Sequence, residues 1–407
     1  GGWVQWNRVS SVAVENVEIL RGGASSLYGD SSLSGAINVL PRSAQDKFTV
    51  AADAFGGTQN TISGSTFIGS KLNDWLLDLS AASYQTKGYK IVDEAVRGPV
   101  DGFAGVRSSS LSTRILRSFS GKATIFFRPS YFGEVRTNGT GLQTNRTHIR
   151  QMIAGGDVRA DRSLFNFRWR AFGGTQVYDQ TFSTVNSART AEALNRVQRV
   201  PAQTVGFSAQ ASAVYRNHTL LAGFELRNVR GASDEIVIAN NTPTSNIGSG
   251  GRQLTAGLFV QHFVRIGSKA VIAGSLRYDR WENYRAFTST RAIATNAIVI
   301  NAFIDRTEDA SSPQISFLLH LSGQFSFYAN ASRSFRSPTL NELYRGFRVG
   351  NVLTTANENL RAERADNFEG GIKFNKRQFA IRANTFWTRI GQPVANVTLA
   401  TTPTLIT

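Results

Sequence analysis

Few side chains in this sequence could carry out bond chemistry or hold a metal. The chain has no cysteine, and its four histidines, His148, His218, His262 and His320, are scattered over different predicted strands and turns. Metal sites usually need three or four ligands held together, and we find no arrangement of a nucleophile and a general base. The sequence therefore predicts no enzyme activity, no catalytic residue, no metal site and no cofactor.

Basic side chains are far more abundant than acidic ones. Lys and Arg number 45 and Asp and Glu 28, which gives a net charge of +17. Such an excess can indicate nucleic acid or an anionic surface as a partner. The arginines are spread along the chain, however, and no zinc finger, helix-turn-helix or RRM signature accompanies them. Nucleic acid is therefore not a predicted partner.

Alternation of apolar and polar residues dominates the chain from residue 47 onward. Successive side chains of a strand point to opposite faces, so this pattern predicts strands with one apolar and one polar face. Many of these segments contain ten or more residues, whereas a bilayer-crossing strand needs about nine to eleven. About sixteen segments share the pattern: 47–55, 59–69, 74–85, 107–118, 121–132, 146–159, 163–176, 202–216, 219–229, 252–266, 269–280, 313–321, 324–334, 365–375, 378–390 and 394–404.

Short and long connections alternate between these segments, apart from the first hairpin at 56–59. The long connections are 86–106, 133–145, 177–201, 230–251, 281–312 and 335–364. Outer-membrane barrels have short periplasmic turns and long extracellular loops. The pattern therefore predicts a membrane all-β fold, an antiparallel transmembrane β-barrel with an apolar face toward lipid and a polar face toward a lumen. A large soluble all-β protein, such as a propeller, is the alternative, but no 40–50-residue repeat is present.

The predicted long connections carry many cations. These include Lys87, Lys90, Arg97, Arg189, Arg196, Arg199, Arg285, Arg291, Arg345, Arg348, Arg361 and Arg364. They could attract an anionic ligand. The interpretation that we favour is that they hold lipopolysaccharide phosphates or pair with nearby acids. Aromatic residues near predicted strand ends, among them Trp281, are expected in the interfacial girdles of the barrel.

Residues 14–42, VENVEILRGGASSLYGDSSLSGAINVLPR, differ from the rest of the chain. Two short predicted strands flank a turn rich in Gly and Ser, which indicates the end of a small α+β domain. Glycine permits tight turns and close backbone approach. A phosphate-binding loop is not predicted because no G-K-[ST] follows, and a plain hairpin is the alternative.

This stretch resembles the end of the plug domain of TonB-dependent outer-membrane receptors. The residues on that motif are Arg21, Gly22, Gly23, Tyr28, Gly29, Gly35 and Asn38. A second stretch, 334–374, is similar to an extracellular-loop segment of the same family. It carries Phe335, Arg336, Pro338, Glu342, Leu343, Tyr344, Asn359, Leu360, Glu363 and Glu369. It departs from the family at 357–359, which reads N-E-N where N-P-N is favoured.

The resemblance implies an architecture of 22 strands around a plugged lumen. About 16 strands are present, so the barrel is expected to be truncated at its C-terminus. Residues 1–46 would be the C-terminal part of the plug domain and 47–407 the barrel. Arg21 is expected to pair with Glu369 as a plug–barrel latch, with a solvated lumen charge as the alternative.

The resemblance also implies active import across the outer membrane of Gram-negative cells. The TonB–ExbB–ExbD complex would supply energy through an N-terminal segment missing here. The cargo would be a scarce, large nutrient, with a ferric siderophore favoured over cobalamin or another large nutrient; the sequence does not identify the substrate-binding residues. Outer-membrane lipid and lipopolysaccharide would surround the barrel. A passive porin is the alternative, and it would lack a folded N-terminal plug.

Overall fold

The structure, a computed structural model, describes residues 4–30, 32–45, 47–160, 164–349, 352–402 and 405–406. The N-terminal segment (residues 4–45) contains 3₁₀ turns at Trp6–Arg8 and Ser11–Ala13, strand β1 (Val14–Arg21), helix α1 (Ser25–Tyr28) and strand β2 (Gly35–Pro41). β1 and β2 pair with each other in antiparallel register. Across the described ranges, no helix is both long and apolar enough to cross a membrane.

The remaining chain is built almost entirely of strands. In chain order the elements are β3 (Thr49–Gly57), β4 (Thr61–Leu72), β5 (Trp75–Tyr89), a 3₁₀ turn (Glu94–Val96), β6 (Ala104–Phe119), β7 (Ala123–Thr137), β8 (Thr144–Arg159), β9 (Phe165–Val185), β10 (Glu192–Tyr215), β11 (His218–Ala239), β12 (Thr242–Ile266), β13 (Ala270–Ala292), β14 (Ile298–Ala302), β15 (Arg306–His320), β16 (Phe325–Arg336), α2 (Leu340–Tyr344), β17 (Phe347–Val349), β18 (Val352–Thr354), β19 (Glu363–Lys376), β20 (Phe379–Gly391), β21 (Thr401–Thr402) and β22 (Leu405–Ile406).

Sixteen of these strands form one antiparallel sheet. Successive long strands are hydrogen-bonded neighbours from β3 at one edge to β20 at the other, and the short β14 pairs with β13 alone. Strands β17, β18, β21 and β22 form a separate four-stranded sheet. Within the described ranges β3 and β20 do not pair with each other, so the sheet is an open wall rather than a closed barrel.

Fifteen of the sixteen predicted strands are confirmed, and the last one, 394–404, is wrong. No strand covers 392–400, and β21 pairs with β22, which joins β18. The chain leaves the large sheet at Gln392, which has a positive φ of 55°, and at Pro393, which has no N–H for the ladder. The backbone N–H of Val394 then donates to Glu363 at 2.7 Å, which turns the chain back over the wall.

Several connections that the sequence predicts as long loops are extensions of strands instead. Strands β9 to β12 contain 21 to 25 residues, and only two residues, Asn240 and Asn241, join β11 to β12. A bilayer needs about nine to eleven residues per strand, so these strands project beyond it at the end opposite the short turns. The alternation of apolar and polar residues did not predict these extensions, because a pair of strands with water on both faces needs no apolar face.

One face of the sheet carries an apolar belt on β7 to β12, in which Asn228 in the first row and His262 in the last row are polar. We define the belt by five successive cross-strand rows, from the row of Pro129, Met152 and Val205 to the row of Phe165, Ala213 and Leu220. The exposed fractions of Met152, Val205 and Leu258 are 59%, 66% and 64%. Five rows on strands tilted by ~40° make a band about 25 Å tall, the height of the apolar band of a membrane barrel. This outward face is therefore built to meet hydrocarbon.

Candidate functional site: the N-terminal segment against the polar face

The N-terminal segment lies on the opposite, polar face and reaches strands that are far apart in the sheet. The side chain of Ser11 donates to Asp53 on β3 at 2.7 Å, and Asn7 donates to Glu134 on β7 at 2.7 Å. Ser26 donates to Gln314 on β15. β3 and β15 would be about 50 Å apart in a flat sheet, whereas an eight-residue strand such as β1 is only about 27 Å long. The sheet therefore curves round the segment with its polar face inside.

The turn between β1 and β2 is seated on β16. Ser25, which is fully buried, accepts a hydrogen bond from the backbone N–H of Phe335 at 3.1 Å. Ser334 donates from its hydroxyl to the carbonyl of Leu33 at 2.7 Å. Gly23 makes room for this contact, because a Cβ on it would lie 2.5 Å from the Asn367 amide nitrogen and would push that side chain aside. The small residues of the motif thus allow backbone and wall to meet closely.

Asp30 makes the ion pair that joins the segment to the wall. Its carboxylate lies 3.0 Å from the guanidinium of Arg227 on β11. It also accepts hydrogen bonds from the backbone N–H and the hydroxyl of Ser337, both at 2.8 Å. Sequence reasoning missed Asp30, although it is the only acid between Glu18 and residue 46 and directly follows the Tyr28–Gly29 motif.

Arg277 on β13 is buried directly beneath Gly29. Its guanidinium pairs with Asp279 at 2.7 Å and with Glu225 at 3.3 Å. A Cβ on Gly29 would lie 2.5 Å from that guanidinium, and the φ of Gly29 is +68°. Both the close approach and the backbone angle therefore call for glycine.

The predicted latch residues lie in one neighbourhood without touching. Arg21 ends β1, and Glu369 on β19 faces the segment, since its carboxylate lies 3.6 Å from the place that a Cβ on Gly22 would take. Glu369 accepts a hydrogen bond from the Tyr328 hydroxyl at 3.3 Å. No ion pair joins Arg21 to Glu369 in the structure, so the latch stays a prediction.

Three further motif residues of the segment, Asn38, Tyr28 and Gly35, lie within its own hairpin and helix. The side chain of Asn38 donates to Glu18 at 2.9 Å, within the hairpin of β1 and β2. Tyr28 ends α1 and has an exposed fraction of 42%. Gly35 stands opposite Arg21 in the hairpin ladder. These positions shape the segment itself.

The second motif folds the connection after β16 onto the wall. Phe335 stacks on Trp281 with ring centroids 5.3 Å apart, and both are buried, so the expected place of Trp281 in an outer aromatic girdle is wrong. Trp281 follows Arg277 by four residues on β13, so both side chains lie on the polar face of the sheet. The motif's Pro338, Leu343 and Tyr344 are fully or almost fully buried.

Charged residues of the same motif clamp this connection. Arg336 pairs with Glu342 at 3.1 Å and with Glu363. Glu342 also forms a capping box with Thr339 that begins α2. Burial opposes ionisation of Glu342, but the hydrogen bonds from Arg336 and Thr339 outweigh it and keep its pKa below the usual value. The backbone N–H of Asn359 donates to the side chain of Asn357 at 2.9 Å, which closes the turn before β19.

Several cations of the outer connections are paired with acids. Arg189 pairs with Asp101, linking the β9–β10 connection to the β5–β6 connection. Arg196 and Arg345 both pair with Glu235, at 2.8 and 3.2 Å. The hydrogen bond from Arg189 lowers the pKa of Asp101 to about 2.

Two of the four histidines, expected to lie apart, are neighbours. His218 Nδ1 and His262 Nε2 are 3.1 Å apart on β11 and β12. The described residues contain no group of three or more His, Asp or Glu side chains placed to hold a metal ion.

A family model described as "TonB dependent receptor-like, beta-barrel" matches residues 83–406. The chain belongs to the TonB-dependent receptor family. Its barrel is of the kind that lies in the outer membrane, and the family consists of transporters rather than enzymes. The predicted all-β membrane fold is confirmed.

Solved structures of three receptors and transporters show the same fold. The ferric yersiniabactin uptake receptor FyuA from Yersinia pestis is 15% identical with a TM-score of 0.72, and the matched parts cover 93% of this chain and 60% of that one. The copper transporter OprC is 12% identical with a TM-score of 0.74, and the match covers 93% of this chain and 59% of that one. The FrpB iron transporter from Neisseria meningitidis is 15% identical with a TM-score of 0.70, and the match covers 95% of this chain and 62% of that one. This TonB-dependent receptor chain thus spans about three fifths of the length of the structures that it matches.

Proposed function

We propose that this TonB-dependent receptor actively imports a scarce, large nutrient across the outer membrane. The observation that carries the proposal is the seat of the N-terminal segment on the polar face, from Asp53 on β3 to Gln314 on β15. A segment held at both sides of a curved wall obstructs the space that the wall encloses. A passive porin needs that space open, so the seated segment favours the gated importer.

The division of the chain that we propose is supported by the same contacts. Residues 1–46 form the C-terminal part of a plug domain, and 47–407 form part of the barrel. The segment has its own two-stranded sheet, and in the part of the chain that the structure describes this sheet does not pair with any strand of the wall. Side-chain hydrogen bonds and ion pairs hold the two parts together, and such contacts can be broken and remade without unfolding either part.

The cargo that we favour is a metal chelate, with a ferric siderophore first and cobalamin as the alternative. The matched structures include a ferric yersiniabactin receptor, an iron transporter and a copper transporter. Energy would come from the TonB–ExbB–ExbD complex, acting through a segment N-terminal to the described residues.

An uptake assay tests the transport proposal. Cells with and without the native gene are starved of iron and offered a panel of labelled ferric siderophores and labelled cobalamin. We expect one labelled compound to accumulate only in cells that carry the gene. That accumulation should stop when TonB is deleted or the proton gradient is collapsed. Uptake that continues without TonB would support the porin instead.

A reversible cross-link tests the role of the segment. These 407 residues contain no cysteine, so Ser26→Cys with Gln314→Cys, in the protein expressed from its native gene with any cysteine outside these residues replaced by serine, places one cysteine pair between segment and wall. We expect oxidation to block uptake and a reductant to restore it. The matched control, Ser112→Cys with Ser130→Cys, joins two neighbouring strands within the wall and should leave uptake unchanged. Full uptake with the segment cross-linked would contradict the proposed role.

A further inference from the structure

A row of polar side chains borders the apolar belt on the outward face. In ladder register its members are successive cross-strand partners on β7 to β13, and we call them the arginine row: Tyr131, Arg150, Thr175, Gln203, Arg230, Arg252 and Tyr284. The next row toward the short turns is the first row of the belt, with Met152, Val205 and Leu254. The arginine row therefore lies where hydrocarbon gives way to water.

The arginines of this row lack acidic partners. Arg150 and Arg230 are exposed and Arg252 is half-buried. Among the described residues no acid forms an ion pair with any of the three. Arginines of the polar face behave differently: Arg114, for example, pairs with Asp78. The row thus presents three uncompensated charges to the outside of the sheet.

Two of these charges stand directly opposite each other. Arg230 on β11 and Arg252 on β12 are register partners. Like charges at such a position destabilise a sheet, and the adjacent hydrocarbon strengthens the repulsion because it lowers the local dielectric constant. An anion bound between the two guanidinium groups would offset that repulsion.

The acids nearest to the row do not supply that anion. Asp179 and Asp234 lie two rows farther from the belt, in a row that also contains Arg146 and Arg199. Asp179 is already paired with Arg199 at 3.5 Å. Glu282 lies on β13 beside Leu254 and contacts neither arginine as an ion pair. The arginine row is the first charged row above the belt on β8 to β12.

We propose that the arginine row binds the phosphorylated headgroup of lipopolysaccharide. The planar guanidinium matches phosphate oxygens with paired hydrogen bonds. Arg230 and Arg252 are one strand spacing apart and suit one phosphate, while Arg150, three strands or about 14 Å away, suits a second. Thr175 and Gln203, which lie between them, can hydrogen-bond sugar hydroxyls.

The neighbouring residues and the side of the membrane fit this occupant. Acyl chains would lie on the belt directly below the row, where Met152 and Val205 are exposed. Tyr131 and Tyr284 close the two ends of the row, and tyrosine favours the membrane interface. The row lies at the end of the sheet opposite the short turns, which is the extracellular end in such barrels. Phosphorylated glycolipid is the anion of that leaflet.

Native mass spectrometry of the receptor, expressed from its native gene and purified in mild detergent, tests the proposal. Purified lipopolysaccharide is titrated into the parent protein, the Arg230→Gln/Arg252→Gln variant and the same variant with Arg150→Gln. We expect affinity to fall about fivefold for each arginine removed. The control is Arg117→Gln, which removes one arginine from the outward face at the opposite rim, beside Trp75 and Phe119, and it should bind like the parent.

Two further arms identify the source of the phosphate. Dephosphorylated lipopolysaccharide should bind the parent and the variants equally weakly, and phosphatidylglycerol should not compete with lipopolysaccharide. Equal retention of lipopolysaccharide by parent and triple variant, or equal competition by phosphatidylglycerol, would overturn the proposal. If the variants fail to fold, the affinity of the parent protein for lipopolysaccharide is measured at rising salt concentration instead. An affinity that does not fall as salt rises would refute phosphate binding.

Discussion

The carboxylate of Asp30 lies 3.0 Å from the guanidinium of Arg227, although 197 residues separate them in the chain. Asp30 also holds Ser337, in the connection that carries the Phe335–Glu363 motif. One side chain therefore joins the N-terminal segment, the wall and an outer connection. A ligand that moves this outer connection would act directly on the segment.

Asp30→Asn is expected to loosen the N-terminal segment. The substitution removes the ion pair and weakens two hydrogen bonds to an acceptor that is almost fully buried, at a cost of about 2–3 kcal/mol. Cells should then become more sensitive to large antibiotics that the outer membrane normally excludes. Asp234→Asn, which changes an exposed acid on the outward face of β11, is the control. Equal sensitivity of the two variants would show that Asp30 does not hold the segment.

Gly29→Ala is expected to destabilise the protein more than Gly121→Ala. Both glycines have a positive φ, +68° and +66°, and the ψ of Gly29, −141°, adds a backbone conformation that alanine rarely adopts, at a cost of about 1–3 kcal/mol. Gly121 has open space around it, whereas alanine at position 29 would collide with the buried Arg277 guanidinium. The two midpoints of denaturant unfolding measure the difference. Equal midpoints would mean that Arg277 can move aside.

The ion pair between Asp101 and Arg189 should survive mild acid. Asp101 has a pKa of about 2 in the folded protein, against about 3.9 when unfolded. Because the folded pKa is the lower one, the stabilisation is complete above about pH 4 and is lost as the pH falls toward 2. Pepsin cleavage within 90–103 should therefore rise steeply between pH 4 and pH 2. Asp101→Asn should be cleaved readily at pH 4 already, and a variant that matches the parent would contradict the assignment.

Arg336→Gln is expected to free helix α2. The change leaves the carboxylates of Glu342 and Glu363 without the cation that holds them together. Amide hydrogen exchange in 340–344 should accelerate by about tenfold or more, as expected for a loss above 1.4 kcal/mol. The control is Arg333→Gln, three residues before Arg336. It breaks an exposed ion pair with Asp366 and should have little effect on this exchange rate. Similar exchange in both variants would indicate that apolar packing alone holds α2.

The sequence predicted the strands of the wall but not their ends. Fifteen segments were found because a strand with lipid on one face must alternate. The extensions of β9 to β12 and the departure of the chain at Pro393 were missed, since neither depends on an apolar face. Trp281 was assigned to the wrong face although its parity with Arg277 shows the right one.

Local alternation, together with the lengths of the connections, was enough to predict a membrane-type antiparallel sheet, and two motifs at 14–42 and 334–374 carried the resemblance to its family. The partners of Asp30, Gly29 and the arginine row were decided only by tertiary structure. A two-residue period is a property of neighbouring residues, whereas the meeting of Asp30 with Arg227 depends on how far the whole sheet bends. The facing of Arg230 and Arg252 depends in turn on the register between two strands. The curvature of the sheet and the register of its strands depend on interactions among many strands, so they cannot be predicted from any single stretch of the chain.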